Sequence, residues 1–325
     1  MRALIHPTFG DPEQVLRIED RPLPEPGAGQ VRLRTVLSPI HNHDLWTVRG
    51  TYGFKPDLPA ASGTEAVGIV DALGAGVDHL AVGQRVATGG TFGAWSEYFL
   101  ANAAGLIPVP DALSDEDAAQ LVSMPFSTIT LLRFLDVQPG EWIVQNAANG
   151  AVGRMLAQLG AARGVNVLGL VRRTAGIEEL RTQGIEGVIA TDQDDWRDQV
   201  AHITGGAPIV AGVDSVGGSS AGDVLSLLAE GGTLVAFGAM DSPTMEIASS
   251  DVIFKQATVK GFWGSKVMPS LDPGTRGELF GELVQRVTDG TLTLPVAGIF
   301  DAADIGTAVQ ASNTAGRIGK VLLRF

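Results

Sequence analysis

The chain has 325 residues, a formal net charge of −13 and a sequence pI of about 4.8. This acidity disfavours nucleic acid and anionic membrane surfaces as partners, so an anionic ligand would need a local cationic group. Cysteine is absent, which excludes disulfides and thiolate-bound zinc. No signal peptide or membrane-spanning apolar run is recognisable, and a cytoplasmic location is therefore expected.

The first third of the chain reads as β-rich. Runs of β-branched and apolar residues bounded by glycine turns predict strands over Ala3–His6, Val31–Val36, Ala66–Leu73 and Ala94–Leu100. The pattern changes at Ser114, whose hydroxyl and the three acids after it are typical of a helix N-terminus. A second helix is expected over Ser127–Leu135.

The middle of the chain alternates between strands and helices. The expected strands are Trp142–Gln145, Val165–Val171, Gly187–Ala190, Ile209–Asp214, Thr233–Phe237 and Thr258–Phe262. The expected helices between them are Ala151–Arg163, Glu178–Gln183, Trp196–Ile203 and Ala221–Leu228. Such alternation predicts an α/β fold with a doubly wound parallel sheet.

The end of the chain has too little apolar surface to form its own core. Helices are expected over Arg276–Thr288 and Ala302–Ala311, with a closing strand over Lys320–Phe325. We expect this segment to pack on the β-rich start. The predicted organisation is a β-rich domain of residues 1–118 and 268–325 that surrounds an inserted domain of residues 119–267.

A glycine-rich turn follows the first strand of the alternating series. Ala148, Gly150 and Gly153 fit the Gly-x-Gly-x-x-Gly spacing, with Ala in the first place. Small residues let the backbone approach a pyrophosphate, and the following helix offers free N–H groups to it. The turn therefore predicts dinucleotide binding by residues 149–153, namely Asn149, Gly150, Ala151, Val152 and Gly153. A helix–strand packing turn is the alternative.

The end of the second strand of the series indicates which dinucleotide is bound. An acid there would accept hydrogen bonds from the ribose of NAD, but the chain reads Val171-Arg172-Arg173-Thr174. Two guanidinium groups suit a ribose 2′-phosphate. Arg172 and Arg173 therefore predict NADPH as cofactor, unless they are solvated surface arginines.

The whole layout resembles the medium-chain dehydrogenase/reductase superfamily, which implies a GroES-like catalytic domain with an inserted Rossmann domain. The stretch Gly63-Thr-Glu-Ala-Val-Gly68 resembles the Gly-His-Glu-x-x-Gly of its zinc alcohol dehydrogenases. Thr64 replaces the zinc-binding His, and His41 stands at the position of a Cys ligand. No bound metal is therefore expected. His41 and His43 are interpreted as pocket or surface residues, and Glu65 as a structural or cofactor-side carboxylate.

Several stretches look like those of the zinc-free 2-enoyl thioester reductases. They are Ser38-Pro-Ile, Asp44-Leu45, Gly50-Thr-Tyr52-Gly, Gln145-Asn-Ala-Ala-Asn149, Phe237-Gly-Ala-Met240, Ile253-Phe-Lys255 and Lys260-Gly-Phe-Trp263. The resemblance implies that Tyr52 is catalytic and that Trp263 lines the acyl pocket. We further expect cofactor contacts at Thr128, Gly238 and Met240. The chain departs from that family at His41-Asn-His43, where Asn-Pro-Ser is usual.

Three functions remain open from the sequence. The preferred one is NADPH-dependent reduction of a 2-enoyl thioester. Quinone and enone reductases are close alternatives, because they share the Gly-x-Tyr and Gly-Thr-Glu-Ala stretches. A nucleotide-binding protein with little catalysis, similar to the lens zeta-crystallins, ranks third. At single residues the alternatives are a pocket-lining or core aromatic for Tyr52, core packing for Trp263, and a turn or cap residue for Thr128 and for Asn149. The family also suggests a homodimer formed through cofactor-domain edges.

Overall fold

The computed structural model describes residues 1–325, which separate by their contacts into two compact units. The terminal unit joins Met1–Ser123 with Thr293–Phe325, and the central unit comprises Met124–Leu292. None of the helices is both long enough and apolar enough to cross a membrane.

Sixteen strands and twelve α-helices make up the two units. The strands are β1 (Arg2–His6), β2 (Arg17–Asp20), β3 (Gln30–Pro39), β4 (Ala60–Ala61), β5 (Glu65–Leu73), β6 (Arg85–Gly89), β7 (Tyr98–Asn102), β8 (Ile107–Pro108), β9 (Trp142–Gln145), β10 (Asn166–Val171), β11 (Val188–Ala190), β12 (Ile209–Asp214), β13 (Thr233–Ala236), β14 (Thr258–Gly261), β15 (Val296–Asp301) and β16 (Lys320–Arg324). The helices are α1 (Pro12–Val15), α2 (Asn42–Arg49), α3 (Asp115–Ala118), α4 (Met124–Leu135), α5 (Ala151–Ala162), α6 (Ala175–Arg181), α7 (Trp196–Thr204), α8 (Gly218–Ser226), α9 (Ser249–Phe254), α10 (Gly264–Val267), α11 (Pro273–Thr288) and α12 (Ile305–Asn313).

The terminal unit is built on β-sheets. Its larger sheet has the order β15-β16-β3-β5-β6-β8, and β7 also pairs with β3; a smaller sheet has the order β2-β1-β4. Alternate residues of β3, such as Val31 and Leu33, are fully buried, as a strand with one face on the core requires. A second apolar cluster packs around the buried Trp95. This arrangement is the GroES-like domain that the sequence resemblance implied.

The central unit contains the expected doubly wound sheet. Its six strands are all parallel, in the order β11-β10-β9-β12-β13-β14. The chain winds outward from β9 in both directions, so β9 and β12 meet at the topological switch point, where ligands bind in such folds. The α/β prediction with a Rossmann-like parallel sheet is therefore confirmed.

The boundary near the C-terminus differs from the one expected from the sequence. Residues 268–292 belong to the central unit, whereas only Thr293–Phe325 join the terminal unit. Helix α11 packs on α4, where the rings of Phe126 and Phe280 stack at 4.0 Å, and Arg163 forms an ion pair with Glu282 at 2.7 Å. The apolar face of this helix is therefore buried on the sheet-and-helix unit that precedes it in the chain.

Candidate functional site

The glycine-rich turn is tightly packed against the second strand of the central sheet. The Ala148 N–H donates to the carbonyl of Leu170 at 3.1 Å, and Ala147 has a positive φ of 48°. A Cβ added to Gly153 would lie 2.6–2.7 Å from the carbonyl oxygens of Ala148 and Ala147. No side chain fits there without moving backbone. Gly150 caps α5 without a side chain, so the free N–H groups of the first turn keep an open approach.

A buried polar link joins the ends of β9 and β12. The Asn146 side chain donates to Asp214 Oδ1 at 2.6 Å and accepts from the Ser215 N–H at 2.7 Å. The Asp214 carboxylate, fully buried, also accepts from the Gly217 N–H at 3.1 Å. These bonds fix the two strand ends at the switch point. Asn146 was expected only as part of the stretch Gln145-Asn-Ala-Ala-Asn149. Its polar side chain directly after a buried strand is the sequence signal for this link.

Two further loops run side by side at this edge of the sheet. The Gly238 N–H donates to the Asp214 carbonyl and the Met240 N–H to the Ser215 carbonyl, at 3.2 and 3.1 Å. A Cβ on Gly238 would lie 2.9 Å from the Ser215 carbonyl oxygen, so the close approach of these loops favours glycine. The Met240 side chain is half exposed.

Arg172 and Arg173 are exposed directly after β10, and neither side chain has a hydrogen bond or ion pair in the structure. Nearby polar groups engage each other instead, since Gln193 donates to Thr174 Oγ1 at 3.0 Å and Thr174 Oγ1 lies 3.4 Å from Asp192. Two unpaired guanidinium groups thus stand at the strand end in a chain of net charge −13.

The structure brings most of the expected cofactor residues together. The loop of residues 149–153, the two arginines, and Gly238 with Met240 follow the C-terminal ends of β9, β10 and β13. Because these strands are parallel members of one sheet, their C-terminal ends lie along the same edge of it.

Thr128 is placed differently from these residues. It lies in the middle of α4, its side chain is fully buried, and its hydroxyl donates to the Met124 carbonyl at 2.8 Å. The Thr128 hydroxyl therefore donates its proton within its own helix, as is usual for threonine in a helix interior.

Trp263 lies between β14 and α10 with 43% of its surface exposed. Its neighbour Phe262 is the buried aromatic and packs against Phe134 and Phe237 at ring distances of 5.3 and 5.7 Å. The interpretation of Trp263 as a core residue is therefore wrong, because the adjacent phenylalanine occupies the core.

Tyr52 lies in the terminal unit, just after α2. Gly50 ends that helix with a positive φ of 74°, and the Tyr52 N–H donates to the Trp46 carbonyl at 3.2 Å. This turn brings the partly buried Tyr52 ring to 5.8 Å from the imidazole of His43, with an interplanar angle of 33°.

His43 is the first member of a hydrogen-bonded series. Its Nε2 lies 2.8 Å from Thr64 Oγ1, and the Thr64 hydroxyl donates to Asp44 Oδ1 at 2.7 Å. The other carboxylate oxygen of Asp44 accepts from the His41 N–H at 3.0 Å, which caps α2. The His43 side chain is 20% exposed, while that of Asp44 is fully buried.

Besides this series, the terminal unit holds a buried pair of side chains, His41 and Glu65. His41 Nε2 and Glu65 Oε2 are 2.6 Å apart, and Glu65 Oε1 accepts from the Val122 and Ser123 N–H groups at 2.7 and 2.6 Å. Burial raises the pKa of Glu65 to about 8, against the lowering effect of these N–H donors and of Lys320. His41 is fully buried, so its interpretation as a pocket or surface residue is wrong, whereas Glu65 is the structural carboxylate.

The residues at the position of the family's zinc site do not fit a zinc ion. His41 Nε2 is engaged with Glu65, and the Thr64 hydroxyl is engaged with Asp44. No cysteine is available, and no group of three or more His, Asp or Glu side chains is arranged to hold a metal ion.

Comparison with known proteins identifies the family. Residues 27–111 match the model of the alcohol dehydrogenase GroES-like domain, and residues 151–274 match that of the zinc-binding dehydrogenases. Human mitochondrial enoyl-[acyl-carrier-protein] reductase is 31% identical over 96% of this chain and 85% of that protein.

Solved structures agree with this assignment. A putative NADPH:quinone reductase from Bacillus thuringiensis has a TM-score of 0.91 at 27% identity, over 100% of this chain and 98% of that one. Escherichia coli quinone oxidoreductase complexed with NADPH has a TM-score of 0.89 at 25% identity, over 100% of both chains. The chain therefore belongs to the medium-chain dehydrogenase/reductase superfamily of oxidoreductases, in which its relatives are enoyl-[acyl-carrier-protein] reductases and quinone oxidoreductases.

Proposed function

We propose that the protein is an NADPH-dependent reductase of the activated C=C bond of a 2-enoyl thioester. The observation that carries this proposal is the position of Tyr52, a phenol donor held beside the His43–Thr64–Asp44 series. The reductase name of the human relative, which matches 96% of this chain, supports the thioester as acceptor.

The residues at the C-terminal edge of the central sheet fit NADPH. The backbone of residues 149–153 would receive the pyrophosphate, because Gly153 leaves no room for a side chain and the first turn of α5 has free N–H groups. Arg172 and Arg173 would pair with the 2′-phosphate. Gly238 and Met240, on the loop after β13, would form the rest of the cofactor site. When bound, reduced nicotinamide supplies a hydride.

Tyr52 would assist the reduction from the carbonyl side of the acceptor. A phenol can donate a hydrogen bond to the thioester oxygen as enolate character develops. The same hydroxyl can pass its proton to the α-carbon. Both roles require the hydroxyl of Tyr52, which phenylalanine lacks.

Quinone reduction is the second candidate, favoured by the near-complete structural match to two quinone reductases. NADPH oxidation measured side by side with crotonyl-CoA, with a quinone and without acceptor separates the two. We expect the highest kcat/KM with the enoyl thioester. Turnover of the quinone alone would replace the proposal with the second candidate, and no turnover beyond the blank would favour a binding protein.

We propose that Trp263 shapes the acyl side of the pocket, since its indole lies outside the core and is 43% exposed. Trp263→Ala should raise KM for some acyl-chain lengths more than for others, measured on enoyl-CoA substrates of increasing length. A fall in melting temperature with an unchanged chain-length profile would contradict this role.

We also propose a homodimer formed through β14, which ends the central sheet and leaves one edge unpaired. Ile253, Phe254 and Val259 on and beside this edge are 63%, 80% and 39% exposed, and an exposed apolar edge strand is a site for pairing. Phe254→Asp should yield monomers in light scattering after size exclusion, whereas Val82→Asp at an exposed turn should not. A wild-type monomer would refute the dimer.

A further inference from the structure

The polarity of the series that starts at His43 fixes where its protons lie. Asp44 Oδ1 can only accept, so the Thr64 hydroxyl donates to it. The oxygen of Thr64 must then accept from His43, which places a proton on His43 Nε2. His43 Nδ1 is consequently the nitrogen that gains and loses a proton, and no hydrogen bond engages it.

We propose that His43 is a proton-relay residue that acts through Tyr52 and returns the proton which the reduction draws from the phenol. This inference rests on the proposed function. It stands on the proximity of the His43 and Tyr52 rings, whose centroids are 5.8 Å apart, and on the hydrogen bonds through Thr64 to Asp44 that fix the imidazole tautomer. It gives a role to the histidine that departs from the family's Asn-Pro-Ser pattern.

The proton and electron balance of the step is complete. When bound, reduced nicotinamide would supply the hydride for the β-carbon. The Tyr52 O–H bond breaks as the C–H bond at the α-carbon forms. The His43 Nδ1–H bond then breaks as the Tyr52 O–H bond forms again. A solvent proton restores His43, so each turnover consumes one hydride and one proton from water.

Several charged and titratable groups face His43. Asp44 lies on the same helix and favours the protonated ring, while Lys320 on β16 disfavours it. The His41 ring stacks on the His43 ring at a centroid distance of 4.9 Å. The Tyr52 ring, from the turn after α2, lies 5.8 Å from the His43 ring. Burial, the largest effect, lowers the pKa of His43 below its ordinary value near 6.5. Because the protonated ring supplies the proton, kcat should fall as pH rises through this lowered pKa.

The test compares His43→Gln with wild-type enzyme on crotonyl-CoA. Loss of one acid–base group should lower kcat on the order of 10²-fold or more, with little change in NADPH affinity. The fall of kcat with rising pH and the solvent deuterium isotope effect should both change, and added imidazole should recover part of the activity. His79→Gln, an exposed histidine of the same unit, is the matched control and should keep the wild-type profile.

Two threonine variants test the same step without removing the imidazole. Thr64→Val keeps the side-chain shape but lacks the hydroxyl that fixes the tautomer, and it should lower kcat and shift the pH profile. Thr64→Ser should recover most of that loss. A wild-type pH profile and isotope effect in both His43→Gln and Thr64→Val would overturn the relay and leave the reductase proposal standing. Wild-type inactivity toward every enoyl thioester would instead overturn the proposed function, and the relay with it.

Discussion

Tyr52→Phe is expected to lower kcat on crotonyl-CoA about 10²- to 10³-fold, the usual cost of removing one donor to a developing oxyanion. The change deletes a single hydroxyl and keeps the ring, so the packing of the turn after α2 should persist. The affinity for NADPH should change far less, because the expected phosphate contacts belong to residues 149–153. Steady-state kinetics with NADPH titration measures both effects.

Tyr98→Phe provides the matched control, since it removes the hydroxyl of the chain's other tyrosine, on β7. It should turn over at nearly the wild-type rate. Melting temperatures of both variants verify folding. The rate of quinone reduction should depend less on a single hydrogen-bond donor. The substrate for this test is therefore an enoyl thioester. Wild-type turnover of that substrate by Tyr52→Phe would reduce Tyr52 to a residue of the pocket wall.

Arg172→Ala is expected to weaken NADPH binding while sparing NADH. Loss of one charge-assisted contact costs about 1.5–3 kcal/mol, which corresponds to roughly a 10- to 150-fold higher Kd. The guanidinium has no ion pair in the structure, so its removal should leave no acidic partner unsatisfied. The double change of Arg172 and Arg173 to Ala should weaken NADPH binding further. Fluorescence titration with each dinucleotide gives the two constants.

Arg181→Ala is the control for this experiment. Arg181 is exposed in the same unit, but its guanidinium pairs with Glu178 at 2.9 Å. Its removal should leave the preference for NADPH intact. Equal weakening of NADPH and NADH by Arg172→Ala would refute the assignment of the 2′-phosphate to this residue.

Local sequence patterns predicted the central sheet well. Trp142–Gln145 and Ile209–Asp214 were expected as strands with the bounds that β9 and β12 have, because each is an apolar run bounded by turn residues. Ser114 caps α3 as expected, with its hydroxyl accepting from the Asp117 N–H. The strand expected over Ala94–Leu100 begins only at Tyr98, since the preceding residues form a bend in which Ser96 makes an isolated bridge to Ala3.

Helix α2 was not expected, although His41, Asp44 and Gly50 carried its cap signals. The Asp44 carboxylate bonds the His41 N–H, and Gly50 ends the helix with a positive φ. Helical residues three and four apart share a face, but no sequence rule joins them to a strand twenty residues later. The bond between His43 and Thr64 therefore depends on the packing of α2 near the start of β5.

The sequence by itself determined the order of strands and helices, the glycine turn and the pair of arginines after β10, because these features depend on residues close together in the chain. The tertiary structure decided that α11 packs on α4, that the Thr128 hydroxyl bonds within its helix and that His41 is buried against Glu65. Those outcomes depend on which surfaces meet after folding. The burial of a polar group and the partner that satisfies it are properties of long-range packing, which local patterns do not contain.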